Sequence, residues 1–104
     1  MTVMIDIKET EVHRLADMHY QRLFHGTCLL DNYLYVTGGI NDVGFVNFSE
    51  RYCLKRNEWF KDVPCLPDCI FNHNMIAIGN KWIYSFGGLC YRHENMTVLR
   101  LNTQ

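Results

Sequence analysis

Two glycine pairs, five histidines and five cysteines are the residues of this 104-residue chain with the most chemistry to offer. Cys65, Cys69 and His73 follow one another at four-residue steps, a spacing that would put three zinc ligands on one face of a helix. Pro67 lies between the cysteines and breaks that helix, so a loop without metal is expected. Cys90-Tyr91-Arg92-His93 sets a thiol near an imidazole, as nucleophilic catalysis would need, but no neighbour is identifiable that would orient the base. Glu50-Arg51 reads as polar pairing on a strand surface rather than as an acid–base couple. Gly38-Gly39 and Gly87-Gly88 could cradle a phosphate, yet neither pair sits in a G-x-x-x-x-G-K or G-x-G-x-x-G frame. The residues therefore predict no catalytic group, no cofactor and no metal.

What the glycine pairs do mark is a repeat. "YLYVTGG" at 33–39 returns as "WIYSFGG" at 82–88, and Gly38 to Gly87 is a period of 49 residues. Each phrase reads as a strand preceded by another, "HGTCLLD" in the first copy and "HNMIAIG" in the second. Asp31-Asn32 and Asn80-Lys81 are their hairpin turns. "NFSERYCLK" and "EWFKDV" supply a third and fourth strand around an Arg56-Asn57 turn, and Pro64 and Pro67 end the unit. "MTVLRLN" matches the third strand in the second copy. The opening residues align with the third and fourth strands at an offset of 47, pairing Ile5 with Tyr52 and Glu11 with Glu58. An amphipathic helix over 6–19 is the competing reading there. The expected division is 1–19 as the last two strands of one unit, 20–68 as a complete unit, and 69–104 as the first three strands of another.

Four short strands every fifty residues or so is the pattern of a propeller blade. At this level the chain resembles the kelch repeats. Their glycine pair is matched by Gly38-Gly39 and Gly87-Gly88, and their tyrosine and the tryptophan seven residues later by Tyr52 and Trp59. The start of their first strand is matched by Arg22, His25 and Gly26. The second copy departs in having Ile70 where Arg22 stands and one extra residue between His73 and its glycines. The resemblance implies an all-β fold, a partial kelch-type β-propeller of four-stranded antiparallel blades. Tyr52 and Trp59 are expected to pack over the space that the glycines leave. It also implies a non-catalytic protein-interaction module, an adaptor or scaffold gripping a protein or peptide ligand through rim loops. Arg22, Asn41, Asp42, Tyr91, Arg92 and His93 are the expected partner-binding residues, with Lys55 and Lys61 away from that rim. A fragment of a kelch-propeller enzyme, an oxidase or isomerase with active-site residues partly elsewhere, is the alternative.

Composition narrows the partners. The formal net charge is −1 and the ten basic residues are scattered, so no nucleic acid is expected. The opening residues mix charge into every turn and no apolar run approaches a membrane span, so a soluble, cytoplasmic protein with no membrane partner is expected. Five cysteines without a paired framework read as free thiols. Closed propellers use about 4 to 8 blades. The repeat count thus leads to an expectation of further blades in a longer chain, or of self-association.

Overall fold

The two repeated phrases become the second strands of two antiparallel sheets. The computed structural model describes residues 2–6, 11–90, 93–94 and 98–104. The first elements, β1 (Thr2–Asp6) and β2 (Glu11–Leu15), pair with each other. β3 (Gly26–Leu30) and β4 (Tyr33–Thr37) follow, then the short β5 (Ile40–Asn41) and β6 (Gly44–Phe45), then β7 (Ser49–Cys53) and β8 (Glu58–Phe60). β3, β4, β7 and β8 form one four-stranded sheet in that order, while β5 and β6 pair as a separate hairpin. The remaining strands are β9 (Ile70–Phe71), β10 (Asn74–Ile78), β11 (Trp82–Phe86), β12 (Leu89–Cys90), β13 (His93–Glu94) and β14 (Leu99–Asn102). β10, β11 and β14 make a second sheet, and β12 lies between β13 and β9 in a small third one. There is no helix among the described residues, and Glu11–Leu15 is strand where the competing reading had placed helix. The fold of the described residues is all-β, built of antiparallel sheets of up to four strands, the arrangement that part of a propeller would have.

The hairpin turns show how the two copies differ in length. Asp31 and Asn32 connect β3 to β4 at φ of 51° and 64°, the double left-handed turn that suits the twist of paired strands. Three residues, 79–81, connect β10 to β11, and Gly79 takes a φ of 66°. The extra residue of the second copy is absorbed there, so both glycine pairs keep their place at the strand end.

Burial follows from how many faces of each sheet are covered. β4 is buried on both faces, at Tyr35, Val36 and Thr37. Tyr35 belongs to the junction between the two large sheets, with Cys28, Leu30, Val63 and Ile83. Val36 belongs to the opposite side, with Tyr52 and Trp59 under Leu15, Ala16 and Met18. The Trp59 indole N–H donates to the Ala16 carbonyl at 2.7 Å, which pins the segment after β2 to the four-stranded sheet. In the second sheet the described residues leave one face covered and the other open. Ile83 and Ser85 are buried, whereas Ile76 and Ile78 on the other face are 51% and 53% exposed. The strand that read as a continuous apolar run thus lies between two layers, and its repeat alternates because it has one.

Candidate functional site

The site is built where β4 and β11 reach their glycine pairs. Gly38 and Gly39 adopt φ of 64° and 101°, so the chain leaves β4 by a path that other residues take only with strain. It then forms the β5–β6 hairpin, whose Ile40 bridges to Leu23 in the segment leading into β3. The second copy does the same with β12, β13 and β9, where Leu89 pairs with Phe71. Five short strands that the sequence showed only as connections therefore brace one rim. Gly38 is approached by the Ile70 carbonyl oxygen and the His73 ring, and Gly39 by the Leu23 carbonyl. Tyr52 and Trp59 do not pack over the glycines as expected. They face each other at 5.1 Å further along the sheet, because the connecting backbone already occupies that space.

Arg22 is the largest correction. Its side chain is fully buried and is no solvent-facing rim group. One terminal nitrogen donates to the carbonyls of Gly38 at 3.2 Å and Phe48 at 2.8 Å. The other donates to Glu50 Oε2 at 2.7 Å. Glu50, also fully buried, accepts the backbone N–H groups of His19 at 2.8 Å and Tyr20 at 3.3 Å. Burial lowers the Arg22 pKa from its ordinary value and the Glu50 charge opposes that shift. The pair is a rivet joining the strand end, β7 and the incoming segment. Glu50 was missed as a surface residue although strand parity could have placed it: two positions before the buried Tyr52, it shares that face. Arg51, on the other face, makes a two-pronged bond to Asp62 at 2.9 and 2.6 Å, which raises its pKa.

Asn41 and Asp42 do lie on the rim, at the tip of the β5–β6 hairpin. The Asn41 side-chain oxygen accepts the Val43 N–H at 2.9 Å and shapes that tip. Tyr91 and Arg92 lie outside the described residues. His93 is in β13, opposite Cys90. Lys55 is exposed in the β7–β8 turn. Lys61, expected away from the rim, reaches within 6.0 Å of the Tyr20 ring, which stacks on Phe48 at 4.9 Å. The rim surface that emerges is apolar: Leu23 is 66% exposed, Phe24 58% and Val43 97%. Phe45 and Phe71 stack at 5.5 Å and tie the two hairpin regions together.

Two imidazoles lie beneath this rim. His73 is buried with Nε2 2.7 Å from Thr37 Oγ1, and neither His73 Nδ1 nor His25 Nδ1 has a hydrogen-bond partner among the described residues. Burial lowers both pKa values from 6.5; His25 lowers His73 further, and Arg22 lowers His25 further. The unfolded chain therefore takes up protons at these sites more readily than the folded one. Stability is complete above the unfolded value of 6.5 and falls as pH drops below it, until the folded values are passed. A urea midpoint that declines from about pH 7 to about pH 5, and declines less in His73→Gln, is the expected result. An unchanged midpoint over that interval contradicts it.

Among the described residues no cluster of three or more His, Cys, Asp or Glu is arranged to hold a metal ion. All five cysteines are free thiols; Cys90 donates to Asp68 at 3.0 Å, a bond that raises its pKa.

No family model matches the chain. Over 75 residues, 72% of its length, the chain is 37% identical to Kelch-like protein 26 of Danio rerio. The matched stretch spans 12% of that relative. The chain is thus similar, over most of its length, to a small part of a kelch-like protein.

Proposed function

We propose that the chain is a kelch-repeat segment acting as a non-catalytic protein-interaction module, an adaptor or scaffold that holds a protein partner by its rim loops. The observation that carries this reading is the exposed apolar rim, Leu23, Phe24 and Val43, mounted on a base locked by Arg22 and Glu50. Exposed apolar patches on a rigid support mark interaction sites. Arg22 and Glu50 are engaged with each other and with backbone groups rather than offered to a substrate, which favours binding over catalysis. The similarity to a kelch-like protein supports the same class. Further blades, in a longer chain or from self-association, would cover the open face of the second sheet at Ile76 and Ile78.

The test is affinity capture with the purified chain, comparing proteins retained by wild type, by the double variant Asn41→Ala/Asp42→Ala, and by Lys55→Ala. The rim variant is expected to lose about fivefold or more of a specific partner's signal, with an unchanged melting curve. Lys55→Ala is expected to keep that signal. Equal losses from both variants, or from neither, would remove the rim from the function. Stoichiometric copper in the purified protein would instead favour the enzyme alternative.

A further inference from the structure

The rim carries a cleft of about 550 Å³ between the segment leading into β3 and the β5–β6 hairpin. Its apolar walls are Met18, Leu23 and Ile40, and Asn41 and Asp42 stand on the hairpin side. A cleft of this size admits a side chain with the backbone that carries it. Its charge is one-sided. Arg22, although it borders the cleft, is neutralised by Glu50 at 2.7 Å. His25, also on the lining, is biased toward its neutral form by burial. The Asp42 carboxylate is exposed and has no partner among the described residues. The remaining free charge of the cleft is therefore negative. The guanidinium itself lies out of reach beneath the cleft, its terminal nitrogens taken by Glu50 and by the Gly38 and Phe48 carbonyls.

We infer that this cleft takes a segment of a partner protein in which an apolar side chain is followed by a lysine or arginine. The apolar side chain lies between Leu23, Met18 and Ile40, and the cation pairs with Asp42 at the mouth. An acidic ligand is disfavoured, because the arginine that would attract it already has its carboxylate. This inference rests on the rim-binding reading and specifies the chemistry of the partner.

The experiment titrates short peptides in a Gly-Ser background, with central Phe-Lys, Phe-Glu, Phe-Ser or Ser-Lys, into the isotope-labelled chain by NMR. Phe-Lys is expected to bind about fivefold more tightly than Phe-Glu, shifting the Asn41 and Val43 amides, with Ser-Lys weakest. Asp42→Lys should reverse the order of Phe-Lys and Phe-Glu, Leu23→Ser should weaken every Phe peptide, and Lys55→Ala should change neither. Absence of Phe-Lys binding, or a preference that survives Asp42→Lys, overturns the inference. If partner capture depends on the rim while these peptides fail, only the apolar–basic specificity falls. If capture is indifferent to the rim, the functional reading falls with it.

Discussion

Replacing Arg22 with alanine is expected to destabilise the fold by about 3–5 kcal/mol, the range for breaking a fully buried ion pair. Both side chains are wholly inaccessible and their charged atoms lie 2.7 Å apart. The substitution removes three bonds at once, to Glu50, Gly38 and Phe48. It also leaves the Glu50 carboxylate buried with only the N–H groups of His19 and Tyr20. That residual charge, rather than the lost contacts, is the dominant penalty. The double variant Arg22→Met/Glu50→Leu should recover part of the loss, since it removes both charges and keeps the volume but leaves the backbone groups of Gly38, Phe48, His19 and Tyr20 without these partners. Denaturant midpoints of wild type, single and double variants measure this directly. A single variant that melts with wild type would show that the pair is not the fastening described. The expectation that Arg22→Ala would spare the melt, which follows from placing Arg22 on an open loop, is reversed by its burial.

That reversal shows which parts of the molecule can be read from residue order. Strand positions were legible because period, turn residues and glycines agree. "YLYVTGG" is β4 with its exit, and Asp31-Asn32 is the turn that its φ values require. The short rim strands were not legible. Two residues such as Ile40–Asn41 carry no period, and their pairing depends on Leu23 arriving from a distant part of the chain. The rim itself was half legible. Asn41 and Asp42 follow from loop length, whereas Arg22 could be placed correctly only by noticing that Glu50 shares a face with Tyr52. Opposite charges far apart in sequence give no local signal of burial; strand parity gives one. The apolar character of Leu23, Phe24 and Val43 was visible as residue types, but exposure is a tertiary property.

Gly38→Ala and Gly87→Ala are expected to differ although the two glycines hold the same place in the repeat. Both have left-handed backbones, with φ of 64° and 73°, so each pays roughly 1–2 kcal/mol for an added Cβ. At Gly38 that Cβ also falls against the Ile70 carbonyl oxygen, with Leu66 3.2 Å away. The carbonyl cannot simply retreat, because it accepts the Gly39 N–H at 2.9 Å and so clasps the two units together. Overpacking there adds about 1–3 kcal/mol, and a β-branched Gly38→Val should cost more. At Gly87 the Cβ meets nothing within 4 Å among the described residues. Denaturant unfolding of the two variants under dilute conditions should therefore rank Gly38→Ala well below Gly87→Ala, and equal losses would mean that the Ile70 clasp is not there. The contrast between Gly38 and Gly87 among the described residues also provides a test of assembly. If a further blade covers Gly87, whether from a longer chain or a second copy, its incoming carbonyl would stand where Ile70 stands over Gly38. Gly87→Ala would then become nearly as costly as Gly38→Ala, and in a self-associating chain the difference would shrink as concentration rises. A gap between the variants that stays constant from dilute to concentrated solution, and in any longer form of the chain, would show that no blade docks on that face.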